Sequence, residues 1–413
     1  MSTRSLRARG LSGLLFPFGL GSIGKLSLAY FFSTLYFYAP VGTLYLQGRG
    51  LSLLQINSIW SLIVATMFLA EIPTGILADR IGHKWAVVLA LALQTLGEMI
   101  YLFARSYAVF AIDAVVAGVG FAFGSGCVEG LVGAELRAEG QSGRLSEALG
   151  TIDAAQRLAN LLAYGLGGLL LAQLTPGRFR LAIALTASCV ALGCAVSVAL
   201  KAAPRTASES QRASIDLLRD GIALLRGDRV FRRLLLLWLA TTPFLNYLGS
   251  LYQPHFVRAQ VGARLFGPAL AVASGLSMLA SRYAFKLEDW LGWRAALWLV
   301  TLLPGLFYLL LAPVLGPTHA LILFCLCYGS MGLRGPLLGA HLNRRIDDGN
   351  RATVMSLVSM FSGLYVALWG PIIGWLGDVS TTVALGVSGG IVLMGGLLFG
   401  ARRAKPGCQD PVA

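Results

Sequence analysis

Gly75-Ile76-Leu77-Ala78-Asp79-Arg80-Ile81-Gly82-His83-Lys84 is a brief polar interruption between two long apolar runs. Its chemistry is that of a tight loop at a membrane edge. Gly75 permits close helix approach, Asp79 suits a helix N-terminus, and Gly82 suits a turn that must reverse the chain at once. Arg80 and Lys84 hold such a loop on the cytoplasmic side. The same frame returns as Phe285-Lys286-Leu287-Glu288-Asp289-Trp290-Leu291-Gly292-Trp293-Arg294. Asp79, Gly82 and Lys84 map onto Asp289, Gly292 and Arg294 at a constant offset of 210 residues, about half the chain. The copy lacks the first glycine.

The rest of the chain fits that setting. Of 413 residues, 56% are hydrophobic and 13% charged, with a mean hydropathy of +0.72. A soluble domain carries roughly a quarter charged residues. The composition therefore excludes soluble enzymes, disordered chains and nucleic-acid binders. The pattern predicts an all-α polytopic membrane protein with twelve spans: 26–47, 53–77, 84–105, 107–132, 145–172, 179–200, 233–257, 265–286, 293–313, 318–342, 352–376 and 381–401. Residues 1–25 read as an uncleaved cytoplasmic arm, since no small-residue cleavage pattern follows their apolar stretch. Residues 26–200 and 233–401 read as two six-helix bundles, and 402–413 as a cytoplasmic tail. In the polar segment 201–232, Ile215, Leu218, Ile222 and Leu225 recur at helical spacing, which predicts an amphipathic linker lying on the membrane surface.

The net charge of +14 follows from topology. With both termini inside, 25 of the 33 Lys and Arg fall in inner segments and six in outer ones; Arg157 and Arg334 fall inside spans. That asymmetry is the positive-inside pattern, with contact to anionic lipid on the cytoplasmic side and no call for nucleic acid. The six cysteines read as small packing residues rather than a disulfide or metal set. No cofactor is implied: no phosphate-binding glycine loop occurs, and no His/Asp/Glu cluster or nucleophile–base pair points to an enzyme.

The 75–84 loop, its half-chain repeat and the twelve-span plan resemble the major facilitator superfamily (MFS). Glu71-Ile72-Pro73-Thr74, Ser125 to Glu129, and Asn343 with Arg351 to Ser356 resemble a bacterial drug-efflux-like subgroup. The resemblance implies two bundles, alternating access, a central cavity and a latch role for Asp79. The implied fold is multi-pass and works as a monomer, and the Ala, Leu, Gly and Arg bias of the composition points to a bacterial inner membrane. Two features depart from the family's pattern. Ala114, beside Asp113, stands where many relatives place an Arg, so that Arg's proton relay does not carry over. The fifth span has small residues at Gly150, Ala159, Ala163, Gly167 and Gly168 but lacks a Gly-Pro, which appears instead at Gly370-Pro371.

Charges inside spans are costly and are functional candidates. Asp153 and Arg157 stand four apart and share a helix face. Asp153 is the first choice for proton coupling, followed by Asp113 and Glu98. Glu71 and Glu129 read as gate partners of the basic loops. Arg334 is the cationic candidate of the second half, for a substrate anion or a carboxylate. Aromatics crowd the first span (Tyr30, Phe31, Phe32, Tyr36, Phe37, Tyr38) and the seventh (Trp238, Tyr247, Tyr252). Tyr36, Arg157, Tyr247 and Arg334 are the expected cavity residues. His83, His319 and His341 read as peripheral.

The function these residues predict is secondary active transport, with protons driving export of small amphiphilic compounds. One proton moving inward through 100 mV releases about 2.3 kcal/mol, enough for roughly fiftyfold accumulation. A proton-coupled importer of a metabolite is the alternative transport reading. A non-transporting receptor on the same scaffold is the third.

Overall fold

The computed structural model describes residues 21–201, 229–344, 346 and 351–400. Most of the predicted arm, most of the linker, the tail and Cys408 lie outside the described residues. Every described element is a helix or a short 3-10 turn. The chain divides into two units. Of the described residues, unit 1 takes 21–201 together with Gly262–Ala271; unit 2 takes 229–261 and those from Val272 onward.

The helices of unit 1 are α1 (Ser22–Ser33), α2 (Gly42–Gly48), α3 (Leu53–Ile81), α4 (His83–Phe103), α5 (Tyr107–Gly124), α6 (Cys127–Ala138), α7 (Leu145–Leu170) and α8 (Pro176–Val198). The first predicted span is therefore broken. Thr34 turns its hydroxyl back onto the Tyr30 carbonyl at 2.7 Å, a bond that competes with helix continuation. Pro40 has no N–H and disfavours the helical conformation at the residue before it. The fourth predicted span breaks at Gly126, whose φ is 73°. The core packs small residues: Ala29, Ala86, Ala90 and Ala148 lie buried with Leu91, Leu131 and Ile152. Such side chains let helix backbones approach closely. The small residues expected of the fifth span do this at Gly168 on α7, where a Cβ would stand 2.6 Å from Gly267 Cα.

Unit 2 continues with α9 (Arg229–Arg258), α10 (Phe266–Leu311), α11 (Pro317–Ser330), α12 (Arg334–Asn343), α13 (Arg351–Val379) and α14 (Thr381–Phe399), α10 opening within unit 1. The predicted eighth and ninth spans run as one stretch, α10, turned only at Gly292. The predicted tenth span is split by a 3-10 turn, Met331–Leu333. Pro336 explains the split, because it cannot donate to the Gly332 carbonyl and crowds it. Phe231, Leu234, Leu237, Leu338 and Leu342 form a buried cluster.

Among the described residues, eight helical stretches are long and apolar enough to cross a membrane. Large apolar side chains such as Leu69, Phe103, Ile112, Leu169 and Leu368 are exposed, as lipid-facing surfaces require.

The two loops of the repeat can be compared directly. Gly82 has φ 90° and ψ 150°; Gly292 has φ 75° and ψ 155°. Both occupy backbone space that a Cβ disfavours. Lys84 lies over the Trp85 ring at 5.0 Å, and Arg294 over the Trp293 ring at 5.3 Å. The role expected of Gly75 is not met. A Cβ there would meet nothing within 4 Å, so no close approach depends on it. Its repeat partner is Phe285, an exposed side chain.

Candidate functional site

Each unit buries charge of a different kind. In unit 1 the charge is acidic. Glu98 on α4 is 8% exposed and Asp113 on α5 is 9% exposed. They are neighbours: Asp113 Oδ1 lies 2.9 Å from where a Cβ of Gly97 would stand. The Tyr38 hydroxyl donates to Glu98, 2.9 Å from Oε1 and 3.2 Å from Oε2. Tyr38 is free to reach Glu98 because the chain has left the helix between α1 and α2. Its ring stacks on Tyr101, with centroids 5.0 Å apart and planes at 15°. Tyr36 meets Tyr38 edge-on at 6.0 Å and lies within electrostatic reach of both carboxylates. Tyr45 and Phe110 close the aromatic wall against Tyr101. Among the described residues, neither Glu98 nor Asp113 forms an ion pair. An ionised carboxylate buried without a cation carries a heavy desolvation cost, and a proton cancels the charge.

Asp153 and Arg157 sit differently. Arg157 Nε donates to Asp153 Oδ2 at 2.7 Å on α7, and the two side chains are 58% and 54% exposed. They share a face as their spacing predicts, but they do not join the acidic cluster. The loop expected over 75–84 is helix except at Gly82, and Asp79, in the last turn of α3, is exposed and lies within electrostatic reach of Cys127, the first residue of α6. That is the neighbourhood a carboxylate prefers. Arg80 and Glu129 are exposed, and Glu71 is half-buried. His83, read as peripheral, packs its ring against Gly130.

In unit 2 the charge is the half-buried Arg334, at the first turn of α12. Its Nε donates to Thr241 Oγ1 at 3.1 Å and its Nη2 to the Trp238 carbonyl at 2.8 Å. Nη2 also donates to Thr242 Oγ1. The guanidinium carbon stands 3.9 Å from the centroid of the Trp238 ring. All three acceptors belong to the turn of α9 just ahead of Pro243. Tyr247, expected in a cavity, is buried and donates to the Val366 carbonyl at 3.0 Å, a bond between α9 and α13. His341 was expected at the periphery but is buried, 3.4 Å from Glu288 and against the Trp293 ring.

Sequence reasoning missed Tyr101, Thr241 and Thr242. Tyr101 stands three residues after Glu98, on the same helix face, which was a readable signal. The threonines adjoin a helix-interior proline, where free backbone acceptors collect; that signal was weaker.

Residues 26–335 match the family model of the Major Facilitator Superfamily. An uncharacterised MFS-type transporter of Methanocaldococcus jannaschii is 28% identical over 134 residues, which is 32% of this chain and 34% of that relative. The match thus spans about a third of the relative's length. Among solved structures, the nucleoside transporter NupG has a TM-score of 0.75 at 13% identity, covering 92% of this chain and 98% of that one. A POT family transporter in complex with 5-aminolevulinic acid has a TM-score of 0.68 at 15% identity, covering 91% and 94%. A bacterial homologue of the human lysosomal transporter Spinster has a TM-score of 0.68 at 16% identity, covering 92% and 98%. At these identities the likeness is one of fold.

Proposed function

The chain belongs to the Major Facilitator Superfamily, a family of multi-pass membrane transporters, and from that premise we propose that it couples proton entry to the export of small amphiphilic compounds. The observation that carries the coupling is Glu98. It is buried, bonded through both oxygens to one tyrosine hydroxyl, beside Asp113, with no cation paired to either among the described residues. Such a pair is cheap to hold with a proton and costly without one. Alternating access would present it to one side carrying a proton and to the other ready to lose it. Asp153, the first choice from sequence, is the weaker candidate. It already holds a cation at an exposed position, so a proton there would have to displace Arg157. Glu71, Asp79, Arg80 and Glu129 serve as the inner gate in this reading. The aromatic wall of Tyr36, Tyr38 and Tyr101 supplies apolar contact with polar tips for an amphiphile.

The test is substrate-driven proton movement in everted vesicles, with wild type, Glu98→Gln and Asp153→Asn side by side. The reading expects proton release from the lumen with wild type and Asp153→Asn and none with Glu98→Gln. Full release with Glu98→Gln would remove the coupling site. One observation favours import instead: Arg334, an intramembrane cation whose described partners are all neutral, suits capture of a metabolite acid. Uptake of an acid into intact cells, driven by an inward proton gradient, would establish that direction.

A further inference from the structure

The sequence of the second half contains Asp and Glu only outside its predicted spans. Arg334 is therefore a charge within a membrane bundle that holds no acid of its own. In the described part of unit 2 the acids are Glu288, Asp289 and Asp378; Glu288 is engaged by His341 and Arg344. The groups that do hold Arg334 are a carbonyl, two hydroxyls and the face of an indole, all uncharged. They orient the guanidinium without cancelling its charge. Nε and Nη2 are occupied, while Nη1 has no acceptor among the described residues. A second donor stands with it: Trp238 Nε1 is buried and also has no acceptor among them. The same indole that stacks on the guanidinium thus offers an unused N–H. A buried donor and an uncancelled, half-buried cation are costly to keep unless something meets them.

We propose that the transported compound carries a carboxylate, seated on Arg334 Nη1 with the Trp238 indole N–H as its second donor. Arg suits this because it keeps its charge when partly buried and its planar guanidinium, held through Nε and Nη2, leaves Nη1 aimed in a fixed direction. The two threonines fix the guanidinium in advance, so little order is lost on binding. The proposal rests on the transport reading above and narrows it from amphiphiles in general to amphiphilic acids. It does not rest on Glu98 as the coupling site.

The test uses the full chain, purified in lipid nanodiscs, and three compounds with one body: 4-phenylbutanoate, 4-phenylbutanamide and 4-phenylbutylamine. Equilibrium binding is read by calorimetry and by tryptophan fluorescence. Wild type should prefer the carboxylate over the amide by about tenfold or more, and reject the amine. Arg334→Gln should erase that preference, and Arg334→Lys should keep part of it, as a point charge without the fixed guanidinium plane. Trp238→Phe keeps an aromatic face and removes only the N–H; it should weaken the carboxylate by roughly fivefold. This second variant carries the test should Arg334→Gln fail to fold, as judged by its melting profile. The proposal is overturned if wild type does not distinguish acid from amide or prefers the amine. It is overturned equally if both variants bind the acid as wild type does. The same proteins in sealed vesicles separate the two readings. Acid-selective binding without proton movement removes the coupling and leaves the Arg334 site. Proton movement driven equally by the amine, and indifferent to Arg334→Gln, removes the site and leaves the coupling.

Discussion

Among the described residues, the buried Glu98 and Asp113 of unit 1 pair with no cation, and the Arg334 guanidinium of unit 2 pairs with no acid. The two halves descend to similar loops at residue 82 and residue 292, yet they handle charge in opposite ways. In unit 1 the partner of Glu98 is a phenolic donor, Tyr38, which suits a group that gains and loses a proton. In unit 2 the partners of Arg334 are acceptors, which suit a group that keeps its charge and is only aimed. The two units thus differ in the sign of the charge they hold without an ion-pair partner among the described residues. The lesson is that repeat symmetry predicts backbone and not chemistry.

That contrast is open to attack from several sides. The largest effect is expected from Glu98→Gln, which removes the charge and keeps the shape. Substrate-driven proton movement in everted vesicles should fall by about 100-fold, close to 2.7 kcal/mol, while substrate binding persists. Unchanged proton movement would break the contrast at its acidic end. Tyr38→Phe is the next step down. Losing a hydrogen bond to a charged group costs about 1.5–3 kcal/mol, so turnover should drop by roughly tenfold or somewhat more, with residual coupling. A smaller effect sharpens the comparison of the loops. Gly82→Ala and Gly292→Ala each force a Cβ into the left-handed region and should cost about 1–2 kcal/mol in detergent melts. Gly75→Ala should be neutral or slightly stabilising. Equal losses at residues 75 and 82 would contradict the geometry of the loop. The smallest effect belongs to Asp153→Asn. An exposed i,i+4 pair contributes about 0.3–0.5 kcal/mol, and coupling should survive its loss. Loss of coupling in this variant would return Asp153 to first place.

Much of this was legible in the sequence. The apolar runs announce helices because a bilayer needs about 20 such residues, and the family follows from the 75–84 loop. The residues of the acidic cluster were named too, but ranked below Asp153. Spacing alone shows that Asp153 and Arg157 meet; it cannot show that Glu98 and Asp113 meet across two helices. The breaks at Thr34, Gly126 and Met331 were not legible. Each arises where a local competitor, a hydroxyl, a glycine or a proline five residues on, outweighs a run of apolar side chains that reads as continuous helix. The burial of His341 was likewise hidden, since it depends on Trp293 and Glu288 from α10.

The loop pair also speaks to descent. Gly75 stands where any side chain fits, and its counterpart has become Phe285. Gly82 stands where almost none fits, and its counterpart is still Gly292. After a duplication, drift is free to rewrite whatever the backbone does not forbid, so the identity of Gly82 and Gly292 marks a torsional constraint, while that of Asp79 and Asp289 does not. Aligning the halves of such a chain by φ and ψ would therefore recover its doubled ancestry after the side chains have lost it.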